Sequence, residues 1–368
     1  MIPSRVAFLP HQRAFLRRPL ATLAAMVLAA AIGPVDAGLA RQRPRLAYHT
    51  PRDDDAVSRS GAPQLRYPGP DRDDGLSLAR KAIPPVEGTV RLAQLSQNYR
   101  PRPAIWRIGD RDTAIYLIGT IHTLPPGFAW RTAALDRIVA RSRLLILESI
   151  EDSASKAATD ASFVEDPMLP PLTARVDAGH RAKLAAFVAS LPPATARLMD
   201  QMPSWIASVA IALVNEVRSG ELPGPGADDW LEEQFRTANK PIVAIEDNRQ
   251  VLAAVNAVPE GDQQRMLHAA IDAPVRSRAD MRAAIHAWAK GDVGPDSALS
   301  VDLVATTGSA AMAAPLLTDR NSAWTRALIR QLKTPGTMLF AAGAGHFIGT
   351  GSVIEQLETR GVRVSRVQ

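Results

Sequence analysis

Four short apolar runs in this chain end on a side chain that can titrate or bind a metal: "YLIGTIH" on His122, "LLILE" on Glu148, "PIVAIE" on Glu246 and "LFAAGAGH" on His346. In an open α/β sheet, groups just past the carboxyl ends of neighbouring parallel strands face one crevice. If the four runs are such strands, two imidazoles and two carboxylates meet there. Two histidines with one or two carboxylates form a common divalent-metal set that leaves positions for water or substrate. A metal held in that way lowers the pKa of a bound water, and a free carboxylate can take its proton. Both histidines stand in a Gly-x-x-His pattern, Gly119 to His122 and Gly343 to His346. Glycine at Gly119, Gly343 and Gly345 lets backbone approach a ligand closely and gives access to positive φ.

Each of these residues also has a plainer reading. A histidine after a strand is often a hydrogen-bonded structural residue. Glu148, following an apolar run, risks burial and needs a partner, which an arginine could supply by a salt bridge. Glu246 opens "EDNRQ", which is equally an acidic first turn of a helix. In "DRNSAW", Arg320 either clamps a substrate oxygen and stabilises developing negative charge, or lies on the surface while Asp319 and Asn321 cap a helix. The other histidines, His11, His49, His180, His268 and His286, lack the strand-end context and stay outside the expected site. The sequence contains no HExxH, no GxSxG and no glycine-rich phosphate loop. The absence of cysteine removes disulfides, thiolate zinc sites and cysteine nucleophiles.

The elements that must position these groups follow from hydrophobic patterning. "AIWRIGDRDTAIYLIGT" reads as a β-hairpin, "WRTAALDRIVARS" as an amphipathic helix and "RLLILES" as a short buried strand. Near the other end, "DRNSAWTRALIRQL" reads as a helix, "GTMLFAAG" as a strand, "GTGSVIEQLETRG" as a helix and "VRVSRVQ" as a last strand. Both sections follow one plan of strand, GxxH turn, helix and strand. The expected fold is therefore α/β (α+β), with two related β-α-β halves and a largely helical middle at about 160–313. A strand at 241–246 interrupts that middle, and the apolar stretch 204–217 is expected to be a core helix, since Asn215, Glu216 and Arg218 close it too early for a membrane span.

The 368 residues, 46% of them hydrophobic, suffice for a sizeable core. Residues 1–37 have a basic front, an apolar run from Leu20 to Ile32 and small residues around Ala37, the pattern of a cleaved export signal. They point to a periplasmic or secreted protein with no stable membrane span after cleavage. Residues 38–103 are rich in Pro, Arg, Asp and Ser and read as a disordered linker, leaving 104–368 as the folded domain. The leader holds four arginines and one aspartate, so without it the formal charge falls from +6 to +3. The remaining basic residues are interspersed with carboxylates, which argues against nucleic acid as a partner.

Taken together, "YLIGTIHTLP", "LLILES", "GADDWLEEQFRTANKPIVAIE", "DRNSAW" and "FAAGAGHFIGTGSVIEQLETRGVRVSRV" resemble the TraB/GumN family, which includes Tiki-type metalloproteases. The resemblance covers about 104–368 and weakens over 155–175. It implies a divalent-metal-dependent hydrolase, with Mn, Co or Zn as the cofactor and a peptide or protein as the substrate. His122, Glu148 and His346 are then the metal residues, and Glu148, Glu246, Arg320 and Asn321 the catalytic ones. The alternative is a non-catalytic haem- or polysaccharide-binding or assembly protein that uses the same crevice.

Overall fold

The computed structural model describes residues 97–150, 168–218, 224–273, 278–300 and 309–368. The expected leader at 1–37 and the expected linker up to residue 96 lie outside them. The strands are β1 (Ile105–Gly109), β2 (Thr113–Thr120), β3 (Thr123–Leu124), β4 (Leu144–Leu147), β5 (Gly224–Pro225), β6 (Ile242–Ala244), β7 (Gly336–Gly343) and β8 (Ser365–Arg366). The hairpin β1–β2 forms as its turn chemistry predicts: Asp110 Oδ1 accepts the N–H groups of Asp112 and Thr113, and Gly109 supplies a φ of +145°.

Six strands make one sheet in the order β6-β4-β7-β2-β1-β8. β2, β7, β4 and β6 are mutually parallel, while β1 runs antiparallel to both β2 and β8. From β2 the chain crosses over β7 to reach β4; from β7 it crosses over β2 and β1 to reach β8. Connections that leave two adjacent strands in opposite directions define a topological switch point, and a crevice opens beyond their carboxyl ends.

Side chains alternate strictly across this sheet. Tyr116, Ile118, Leu145, Leu147, Leu339 and Ala341 face one layer; Ile115, Leu117, Ile146, Met338, Phe340 and Ala342 face the other. The first layer holds α1 (Ala133–Arg141), α5 (Ala227–Thr237) and α8 (Arg278–Lys290), through Leu135, Ile138, Leu231, Phe235 and Trp288. The second holds α10 (Asp319–Gln331) and α11 (Val353–Thr359), through Trp324, Leu328, Val353 and Leu357. Burying one such leucine or isoleucine contributes about 1.5–3 kcal/mol, so the central strands anchor whatever their ends carry.

A separate apolar cluster joins α2 (Ala178–Ala189), α3 (Pro193–Gln201), α4 (Ser204–Arg218), α6 (Asn248–Asn256), α7 (Glu260–Asp272) and α9 (Ala310–Ala313). The stretch expected as a core helix is α4, with Trp205, Ile206, Ala210, Ile211 and Val214 buried. The helical middle is not one continuous insertion, because between α4 and α6 the strand β5 pairs with β3 in a separate two-stranded sheet while α5 and β6 return to the six-stranded one. No helix among the described residues is long and apolar enough to cross a membrane.

Three details differ from the sequence reading. Residues 97–103 belong to the folded body: the Gln97 side-chain amide donates to Ala129 O and accepts from Ala129 N–H, Tyr99 OH lies 2.5 Å from His286 Nδ1, and Arg102 N–H donates to Ala289 O. The two halves share a plan but not a geometry, since β4 lands beside β7 whereas β8 lands on the far edge beside β1. Lastly, none of Gly119, Gly343 and Gly345 has positive φ. The first two are needed for close approach instead. A methyl group on Gly119 would sit 2.9 Å from Ala344 Cα, where the chain leaving β7 passes the end of β2.

Candidate active site

The carboxyl ends of the four parallel strands bring together all four expected strand-end groups. Thr120 and Gly343 are register partners at the ends of β2 and β7, so His122 and His346 leave the sheet side by side. Leu147 pairs with Ala244, and Glu246 N–H donates to Glu148 O, which sets the two glutamates next to each other. Gly343 is the point they share. A methyl group built there would lie 3.2 Å from Glu148 Oε1, 3.4 Å from His122 Nε2 and 3.8 Å from His346 Cδ2. Any side chain at this position would fill the space between the three groups. The Gly343 N–H itself donates to Glu148 Oε1.

Arg320 occupies the centre of this crevice. It enters from α10, whose first residues continue a wide helical turn, Ala314–Thr318, that contains Pro315. Thr318 is itself helical and makes no side-chain cap, so the reading of Asp319 and Asn321 as caps and Arg320 as a surface residue does not hold. Widened turns of this type re-aim side chains and recur at functional sites. Arg320 Nη1 donates to Leu316 O at 2.9 Å within that turn. Its Nη2 donates to Glu148 Oε2 at 2.7 Å and to Glu246 Oε1 at 2.6 Å, while Nε reaches both Glu246 oxygens at 3.1 Å. The indole N–H of Trp324, one helical turn further on, donates to Glu246 Oε2 at 2.7 Å.

His346 lies behind the guanidinium and is buried. Its Nε2 is 3.2 Å from Arg320 Nη1, which can only donate, so Nε2 presents a lone pair and Nδ1 carries the proton. The Nδ1–H donates to Asn321 Oδ1 at 2.6 Å, and Asn321 Nδ2 in turn donates to Gly351 O at 2.9 Å. Asn321 therefore orients His346 from behind and does not face the crevice; it is a positioning residue. The Trp324 ring lies 4.2 Å from the imidazole centroid. Burial pushes His346 down to about 3, with Arg320 and His122 acting in the same direction and Glu148 opposing them, so the imidazole is neutral near pH 7.

The two carboxylates are driven apart. Burial pushes Glu148 upward, but His346, Arg320, His122 and the Gly343 N–H together outweigh it and hold Glu148 below the usual carboxylate range. Burial also raises Glu246 and prevails there, helped by the Glu148 charge and opposed by Arg320 and Trp324.

His122 differs from His346 in every respect except its reach toward Gly343. Its side chain is 43% exposed, and its Nδ1 lies 3.1 Å from Asp228 Oδ2 at the start of α5. The pairing of β3 with β5 carries α5 to this position, with Ala227 N–H donating to Ile121 O. Gly226 passes so close that a methyl group on it would lie 2.3 Å from His122 O. Sequence reasoning gives Asp228 no role, because paired acids at a helix start read as dipole chemistry. Its near-complete burial marks it as something else. Trp324 escapes for the same reason that most core aromatics do: its type and spacing are those of an ordinary helix face.

Carboxylate and imidazole are ligand types that Mn, Co or Zn accept, and His122, Glu148, Glu246 and His346 are the residues that could supply them; in this arrangement Arg320 bonds both carboxylates and lies against His346 Nε2. Among the described residues, the only group of three with ligand atoms all within 4.8 Å of one another is Asp177, His180 and His268, elsewhere in the fold.

A family model described as TraB/PrgY/gumN matches residues 104–366. No curated protein and no solved structure gives a match.

Proposed function

The chain belongs to the TraB/PrgY/gumN family, and on that premise we propose that it is an exported divalent-metal-dependent hydrolase of peptide bonds. One observation carries the reading: His122 Nε2, Glu148 Oε1 and the His346 ring all surround the Cβ position of Gly343, at the end of the central parallel strand. In this reading His122, Glu148 and His346 hold the ion. When bound, a metal of this kind polarises a carbonyl and acidifies water.

The chain's own residues divide the remaining work according to their environments. Glu148, kept ionised, supplies fixed negative charge. Glu246, whose carboxyl is raised, is the better proton acceptor, and its Oε1 faces the crevice beside Glu148 on the shared Arg320 Nη2. Carboxyls pushed in opposite directions commonly separate an ionised role from a proton-carrying one. Arg320 is anchored by Glu246 and Leu316 O, so its donors toward Glu148 and His346 can turn to a developing oxyanion without losing that anchor. Asp228 fixes the His122 ring so that Nε2 faces inward. The leader pattern of residues 1–37 supports export.

The test is elemental analysis of the purified chain together with cleavage of a peptide library in added Mn²⁺, Co²⁺ or Zn²⁺. Cleavage is expected to require a metal and to vanish in His122→Ala and in His346→Ala. Undiminished cleavage in either variant would end the assignment. Tight haem or polysaccharide binding with no cleavage under any of the three metals would favour the binding-protein alternative.

A further inference from the structure

We infer that the helical layer carries a second divalent-metal site, formed by Asp177, His180 and His268, which clasps α2 to α7. It is independent of the crevice and of the hydrolase reading. Asp177 is the N-cap of α2 and His180 lies in its first turn, whereas His268 and Asp272 are four residues apart on one face of α7. The two helices thus each bring a histidine and a carboxylate to one spot. One ligand atom from each of Asp177, His180 and His268 falls within 4.8 Å of the others, a mutual spacing that a single ion can bridge.

The three groups are gathered but bonded to one another, with the Asp177 N–H also 3.5 Å from His268 Nε2, so an ion would replace these contacts. Asp177 Oδ1 is 2.6 Å from His180 Nδ1, and Asp177 Oδ2 is 3.9 Å from His268 Nδ1, so the two oxygens of one carboxylate face nitrogens from both helices. On its far side, His180 Nε2 lies 2.9 Å from Asp272 Oδ2. Without a metal, His180 Nδ1–H donates to Asp177 and Nε2–H to Asp272; an ion would displace the Nδ1 proton and leave Nε2–H on Asp272, and a carboxylate behind a histidine is the usual outer support of a metal-binding imidazole. Lys183 Nζ holds the other oxygen of Asp272 at 2.7 Å, which keeps Asp272 in this supporting place. The two imidazoles stack with centroids 4.0 Å apart and planes within 3°. Binding must tilt them, because parallel lone pairs have to converge on one ion.

Imidazole nitrogen with carboxylate oxygen suits a borderline first-row cation of the zinc type, and not calcium or magnesium, which take oxygen sets. The imidazoles are about one-fifth exposed, so an ion enters from solvent without any opening of the fold. An ion bridging α2 and α7 would fasten the helical layer, giving the site a structural role.

The experiment uses the full chain carrying His122→Ala and His346→Ala, its fold checked by circular dichroism, with His122→Ala alone as a second background should the buried His346 change unfold the chain. Zinc titration is expected to show one remaining ion per chain and a rise in Tm of a few degrees, on the order of that given by mass-action stabilisation. Adding His268→Gln should weaken zinc binding by more than about tenfold and cancel the Tm rise, and Asp272→Asn should weaken it by about 10–100-fold. Absence of zinc binding in the crevice variant, or binding that His268→Gln leaves unchanged, overturns the inference.

Discussion

The two GxxH turns present the same residue type to the same point from opposite kinds of surroundings. His346 sits in the interior, with its proton fixed by Asn321 and its ring against Trp324. His122 stands at the mouth, partly in solvent, with its Nδ1 against the Asp228 carboxylate of α5. One half of the crevice is therefore built into the core of the domain, and the other is a partly exposed rim. The difference separates two costs that are usually confounded. A change on the His346 side should disturb stability and chemistry together, whereas a change on the His122 side should disturb chemistry alone.

The largest break of this contrast is Arg320→Ala. It leaves Glu148 and Glu246 facing each other with no counter-charge, and removing one member of a buried ionic network typically costs about 3–5 kcal/mol. Urea unfolding of the metal-free chain reads the loss; a change below about 1 kcal/mol would show that the guanidinium is not the keystone of the inner half.

Acid is the next lever. His346 binds its proton near the ordinary 6.5 when unfolded but only near 3 when folded, so its contribution is complete above the unfolded value and declines as pH falls toward 3. The slope of stability against pH approaches about 1.4 kcal/mol per unit in that window. Glu148, also depressed, adds a loss below its own ordinary value of 4.5. Unfolding curves of the metal-free chain at several pH values should show this slope, and His346→Gln should flatten the upper part of it.

Asp228→Asn sharpens the outer half. It keeps the size of the residue but weakens its hold on His122, so metal affinity and turnover should fall by about 10–100-fold with little change in Tm. Smallest of all should be the effect of His122→Ala on stability, within about 0.5 kcal/mol as for most surface positions, even as cleavage disappears. A destabilisation of several kcal/mol on the order of a core truncation would erase the distinction between the halves.

Much of this arrangement was legible in the sequence. Runs such as "YLIGTIH" and "LFAAGAGH" announce buried strands, and a polar residue closing an apolar run points to a strand-end crevice; His122, Glu148, Glu246 and His346 meet there. What the sequence could not convey was which groups face the crevice and which stand behind it. Asn321 and Arg320 are neighbours in the chain, yet one backs His346 and the other fills the crevice, because successive helix positions point about 100° apart. The β3–β5 pairing that delivers Asp228 spans two residues per strand in a segment rich in Gly and Pro, a pattern that reads as loop. His180 and His268, far apart in sequence and on separate helices, carry no periodic sign that they stack.

The position of β7 has a bearing on biosynthesis. It lies between β2 and β4, both made some 200 residues earlier, and it is completed only at Gly343. Until the ribosome has passed that point, a nascent chain has two strand edges awaiting a partner, the exposed state from which misassembly proceeds. It also lacks the backbone N–H that grips Glu148 and the whole of His346. The candidate site is thus completed late, at the same moment as the middle of the sheet, and a chain interrupted before residue 336 would lack both.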